Sequence, residues 1–191
     1  MTVLSSFDLP DFANRPSIHR FINAWDKWRG DAMIPNRRDV KLSDIQSIAS
    51  GMVIFDMYSH SNIRCRFIGS MFTDLYGHDY TGKNYLDITE PSVRKCRAER
   101  MFSVVEQPCI AAWAIAANAP LDPLPTTVGV SVPIAPKNPD HPMQLMQMME
   151  VLTHVNARVF QQHGDELNIH YATSFIGIDI GAGTPVYTQT P

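Results

Sequence analysis

The sequence predicts an α+β domain organised on a single antiparallel sheet, and three patterns carry that prediction. Ile18, Phe21, Ile22, Trp25 and Trp28 recur at helical spacing with His19, Arg20, Asn23, Asp26 and Lys27 between them, the pattern of an amphipathic helix. Met52 to Tyr58 and Ile63 to Ile68 are apolar runs of strand length joined by the polar turn Ser59-His60-Ser61-Asn62, so they form an antiparallel hairpin. From Thr127 to Ile134, Val128, Val130, Val132 and Ile134 alternate with Thr127, Gly129, Ser131 and Pro133, a period of two that buries one face of a strand.

The remaining elements follow in chain order. Pro16 suits a first helical turn and Gly30 stops the helix. Its stripe carries two of the three tryptophans, which the core or another chain must cover. Pro35 biases Ile34 to Val40 towards an extended linker, and Leu42 to Ile45 opens a short helix with Ser43 or Asp44 as its cap. Gly69 ends the hairpin. Ser70 to Asp87 reads as short helical turns punctuated by Gly77 and Gly82, suited to walling a cavity. Pro91 opens a longer helix whose apolar face is Ala98, Met101, Phe102 and Val105, ended by Gln107-Pro108. Cys109 to Ala117 reads as a strand, although its alanines would equally accept a helix. Lys137 to Pro142 is a turn, Met143 to Thr153 a methionine-rich closing strand, Gln161 to Asp165 a loop, and Phe175 to Ile180 a short extra strand.

At 191 residues, 45% hydrophobic and 18% charged, the chain has the size and composition of one globular domain. We expect a flexible amino-terminal segment at 1–16, the folded domain at 17–155 and a carboxy-terminal extension at 156–191. A net charge of −3 provides no positive field to gather nucleic-acid phosphates or an anionic bilayer, so neither is an expected partner. Cys65, Cys96 and Cys109 are odd in number and lack metal-type spacing, which suits reduced structural thiols in a cytoplasmic protein. Residues 1–16 lack a basic start followed by an apolar stretch, so no secretory signal is expected. The longest nearly apolar run, Cys109 to Ala117, falls far short of the roughly 20 residues a membrane-spanning helix needs.

Several motifs together resemble a known family. Trp28-Arg29-Gly30, Pro35, Arg37, Asp39 and Ile45 form an opening block; Arg66-Phe67-Ile68-Gly69 closes the hairpin; Gly77-His78-Asp79-Tyr80-Thr81-Gly82 follows; and Val132-Pro133-Ile134 lies on a later strand. In order and spacing these resemble a PAS sensory domain, and within that family a subgroup of stand-alone bacterial single-domain proteins, over about residues 17 to 155. Physically, Gly77 and Gly82 supply backbone shapes that a β-carbon resists, and Asp79 accepts a backbone donor in the turn between them. The resemblance implies a PAS-like sheet with a wall of short helices, one longer helix and an amino-terminal helix. It also implies a non-catalytic sensory or regulatory protein that binds a small apolar or amphipathic ligand, or a signalling protein partner, and responds by conformational change or dimerisation. A ligand-free adaptor is the alternative, and a small cavity enzyme with a buried carboxylate a more distant one. PAS relatives often dimerise through the amino-terminal helix, which makes Ile18, Phe21, Ile22, Trp25 and Trp28 candidates for a homodimer contact.

The chemistry-bearing residues point away from catalysis and cofactors. Cys65-Arg66-Phe67 superficially matches the cysteine motif of flavin-binding photosensors, but it lies before the helical wall rather than after it and lacks the preceding Asn. The helix from Pro91 to Glu106 has no histidine, where haem-binding PAS domains commonly place their ligand. His19, His60, His78, His141, His154, His163 and His170 are scattered singly; only the last three offer a convergence, without zinc-type spacing. Gly-x-Ser-x-Gly, His-Glu-x-x-His and phosphate-cradling glycine loops are absent. Asp56, Asp74, Asp79 and Asp87 read as turn or cap residues, and Arg94, Lys95, Arg97 and Arg100 as a solvated helix face or an anionic docking site. A ligand pocket, if the interior holds one, would draw on Phe67 after the hairpin, Phe72 and Leu75 in the wall, Met101, Phe102 and Val105 on the long helix, and Val130, Met146 and Met148 on the closing strands.

Overall fold

The computed structural model describes residues 5–116, 126–152 and 172–186. Helix α1 is Pro16–Arg29, with proline in the first turn, where a missing amide costs nothing. Short 3-10 helices at Leu42–Asp44 and Gln46–Gly51 lead into the hairpin of β1 (Met52–Ser59) and β2 (Asn62–Ile68). The wall comprises α2 (Ser70–Tyr76) and 3-10 turns at Tyr85–Ile88 and Pro91–Val93, followed by α3 (Arg94–Glu106). Strands β3 (Cys109–Ala116), β4 (Thr126–Ile134), β5 (Met143–Val151) and β6 (Ala172–Asp179) complete one sheet in the order β2-β1-β5-β4-β3-β6, every pairing antiparallel.

Two apolar clusters sandwich this sheet, and strand parity divides them. Val53, Phe55 and Met57 of β1 with Leu145 and Met149 of β5 face the helical wall and α3. Met52 and Ile54, Met146 and Met148, and Val130, Val132 and Ile134 face the opposite side, where α1 lies. β4 is therefore buried on both faces, not the one face its alternation suggested, because a central strand here has a helical layer on each side. The alanines of β3 are strand, since hydrogen-bonded neighbours on both flanks override their helical preference.

Two local expectations are corrected. Residues from Ser5 onward are not a loose leader: Phe7, Leu9 and Phe12 pack against the α1 cluster and Ala13 is fully buried. The Ser5 amide donates to His19 Nδ1 at 3.0 Å, and His19 Nε2 meets Asn14 Oδ1 at 2.7 Å, fastening this segment to α1. Neither Ser43 nor Asp44 caps the helix at Leu42–Asp44. Asp44 instead accepts from Trp28 Nε1 at 2.9 Å, so its carboxylate orients a tryptophan. Residues 1–4, Thr153, the loop at 161–165 and the histidines at 154, 163 and 170 lie outside the described residues.

Candidate functional site

Between the inner face of the sheet and the wall lies a cavity of about 50 Å³. A water needs roughly 10–15 Å³ of such space, so it holds a few waters and no more. Phe55 of β1, Trp113 of β3, Met149 of β5 and Phe175 of β6 form its sheet side; Phe72 of α2, Tyr85 of the wall and Met101 of α3 close it. Trp113 lies over Gly129, where a β-carbon would press into the indole ring, so the glycine makes room for the tryptophan. Trp113 Nε1 donates to Ser131 Oγ at 3.0 Å, and Gln147 Nε2 donates to the same oxygen at 2.8 Å, so the floor's polar atoms pair with one another.

The cationic side of α3 is not a solvated face. Arg94 donates to the carbonyls of Thr89 at 2.8 Å and Asp87 at 3.3 Å, and Arg97 donates to the Tyr85 hydroxyl at 3.0 Å. Arg100 lies 5.6 Å from the centre of the Phe175 ring, and its buried Nε has no partner among the described residues. These guanidiniums tie the wall and β6 to the helix; of the four cations only Lys95 stands fully exposed, 3.9 Å from Glu99. Periodicity alone could not reveal this, because the acceptors are backbone carbonyls of the preceding turn.

The predicted pocket residues divide into separate groups. Phe72 and Met101 line the cavity, and Phe102 and Val105 are buried in the same cluster, with Phe102 stacked on His60 at 4.1 Å. Val130, Met146 and Met148 do not join them: even-numbered positions of β4 and β5 point to the α1 side, so these three pack under Trp25 and Ile22. Phe67 faces outward and is 41% exposed. The Leu75 side chain lies outside what is described. Sequence reasoning missed Tyr85, Trp113, Gln147 and Phe175; Trp113, the one aromatic residue of β3, was the available signal.

The stripe on α1 is covered within the chain. Ile18, Phe21, Ile22 and Trp25 are fully buried and Trp28 nearly so. Trp25 Nε1 donates to the Pro133 carbonyl at 2.9 Å, linking the helix to β4. A homodimer contact through Ile18, Phe21, Ile22, Trp25 and Trp28 would require peeling α1 from its own sheet, so that expectation is withdrawn.

The signature residues shape the fold. Gly77 and Gly82 have φ of 74° and 81°, a region side chains resist. Asp79 Oδ1 accepts the Thr81 amide at 2.8 Å, and hydrogen bonds from Thr81 hold its carboxyl below the usual range. The turn they make lies along the edge of β2: Gly82 N donates to the Cys65 carbonyl at 2.7 Å and Cys65 N to the Lys83 carbonyl at 2.9 Å. A β-carbon at Gly69 would collide with the carbonyls of Ala49 and Ser50. Arg37 and Asp39 shape the linker through their amides, which donate to the carbonyls of Ala135 and Asn36. Arg66 pairs with Asp56 at 3.1 Å. Asp56 is thus a buried strand carboxylate, not the turn residue expected.

Reactive groups are few. Burial, then the nearby Asp79 charge, pushes the Cys65 thiol up to about 12, which suppresses its thiolate. Among the described residues no group of three His, Cys, Asp or Glu side chains is placed to hold a metal ion, and no helix is long and apolar enough to cross a membrane. A family model described as PAS domain matches residues 13–146, well over half of the chain. No curated protein matches the sequence.

Proposed function

This chain belongs to the PAS domain family, and we propose that it is a non-catalytic sensory or regulatory member that acts by docking to a signalling protein, with no resident ligand in its inner cavity. The observation that carries the reading is the cavity's size, about 50 Å³ against the roughly 300–1,000 Å³ of ordinary small-molecule sites. Its lining includes no Asp or Glu among the described residues, and the buried carboxylate, Asp56, belongs to the other face. That arrangement favours regulation over acid–base catalysis. The output is a shift between two arrangements of the wall against the sheet, which a partner stabilises by binding one of them better. Homodimerisation, if part of that output, uses a surface other than the α1 stripe.

A second reading places a small anionic or amphipathic ligand between α3 and β6 after the wall opens. The buried, unpartnered Arg100 Nε supports it, because a ligand oxygen there would satisfy a donor the protein leaves unpaired. Native mass spectrometry after passage over a lipid-adsorbing resin separates the readings, since the resin strips open surface grooves but not enclosed cavities. The bare chain mass is the expected result. A stoichiometric molecule that survives the resin overturns the first reading in favour of the second.

A further inference from the structure

The outer face of the sheet carries a groove with two compartments that share Arg37 and Arg66. The first, about 570 Å³, is apolar: Met52 and Ile54 of β1 and Phe67 beside them form one side, Leu42, Ile45 and Ala49 the other. Leu42 is 56% and Phe67 41% exposed, so its rim presents unburied hydrocarbon to solvent. The second, about 540 Å³, is polar and cationic, with Arg37, Arg38, Arg66, Lys137 and His141 around Asp56 and Gln144. Each compartment falls within the roughly 300–1,000 Å³ of small-molecule sites.

The charges of the second compartment do not balance. Its one carboxylate among the described residues, Asp56, is engaged by Arg66 at 3.1 Å and by Gln144 Nε2 at 2.7 Å. Arg38 reaches only neutral acceptors, Asn36 Oδ1 at 3.0 Å and the Lys137 carbonyl at 3.2 Å. The Arg37 guanidinium and the Lys137 ammonium meet no acceptor among the described residues. Gln144, only 6% exposed, has a buried Oε1 with no donor facing it among the described residues; as an acceptor it calls for a water rather than for an anion, so the cations alone call for an anionic head.

We propose that this groove binds a free amphipathic carboxylate, its acyl chain along Met52, Ile54 and Phe67 and its head among Arg37, Arg38 and Lys137. Charge complementarity selects the head and the adjoining apolar compartment selects the tail. The site is separate from the inner cavity, because Ile54 and Phe55 are neighbours on β1 that face opposite sides of the sheet.

Isothermal titration of the full chain with sodium dodecanoate, below its micellar concentration, tests this. Dodecanoate binds; butyrate, lacking the tail, and dodecyltrimethylammonium, with the opposite head charge, do not. Arg37→Gln weakens binding about tenfold or more by removing a charge-assisted hydrogen bond. Leu42→Asp does the same from the other compartment, at a position exposed enough to leave folding intact. Arg100→Gln, at the inner cavity, leaves the affinity unchanged. The proposal is overturned if dodecanoate does not bind, if the cationic amphiphile binds equally well, or if Arg100→Gln weakens binding while Arg37→Gln and Leu42→Asp do not.

Discussion

Both faces of the sheet bury apolar clusters, but they are closed by different mixtures of area and hydrogen bonding. On the outer face, the 14-residue α1 lays Phe21, Ile22, Trp25 and Trp28 onto β4 and β5, and the closure is chiefly hydrophobic area. On the inner face, the segments between β2 and α3 are three to seven residues long. Side chains aimed at backbone fasten them: Asn84 Oδ1 accepts the amides of Ile63 and Leu86, Thr89 Oγ1 donates to the Tyr85 carbonyl, and Arg94 holds Thr89 and Asp87. Area burial is large and non-directional, whereas each such hydrogen bond contributes only about 1 kcal/mol net. The outer face therefore rests chiefly on area, whereas the inner wall, which also buries Phe72, Tyr85, Leu86, Met101 and Phe102, adds directional fastenings that single substitutions can remove.

The largest expected effect tests the outer closure. Trp25→Ala removes a fully buried indole and orphans the Pro133 carbonyl, costing about 3–5 kcal/mol in urea unfolding. A loss under about 1 kcal/mol would mean that α1 is dispensable and the contrast between faces is false. Asn84→Ala comes next, with an expected loss of about 1–2 kcal/mol, the range of a lost cap and its bonds. Hydrogen exchange should quicken at Ile63 and Leu86 while the amides of α1 stay protected. Equal loosening of both faces would show that they open as one unit.

A smaller effect lies in the acid limb of stability. The Trp28 indole, then Lys27, hold the Asp44 carboxyl below its usual range. Its contribution is present above the unfolded value of 3.8 and is lost as pH falls through the depressed folded value. Asp44→Asn should flatten that limb in Trp28 fluorescence, and an unchanged limb would place the acid sensitivity elsewhere. The gentlest probe alters no residue: in native protein iodoacetamide should modify half-buried Cys96 before the buried Cys65 and Cys109, all three reacting after unfolding. Early labelling of Cys65 would reveal an inner face looser than its packing implies.

Wherever one surface dictates periodicity, the sequence was readable. The α1 stripe, the hairpin and β4 follow from spacing alone, and the positive φ of Gly77 and Gly82 from their motif. What failed depended on partners. Nothing in the α1 stripe states which surface covers it, so spacing alone leaves both its own sheet and a second chain open. Grouping Met143, Met146, Met148 and Met149 by type obscured their parity, which sends Met146 and Met148 outward and Met149 inward. Asp56 looked like a turn residue because its partners, Arg66 and Gln144, come from a neighbouring strand and from one 88 positions away. The alternation at 175–180 revealed a strand, but not that it lies beside β3.

That placement has a consequence for biosynthesis. Ala112 pairs with Ile176, so one flank of β3 waits for chain made about 60 residues later. At roughly 5–20 residues per second, the nascent sheet spends several seconds with an unsealed border. A bare strand border recruits other chains, so slow translation after β3 lengthens that strand's exposure to misassembly until β6 pairs with it and becomes the sheet's edge in its place.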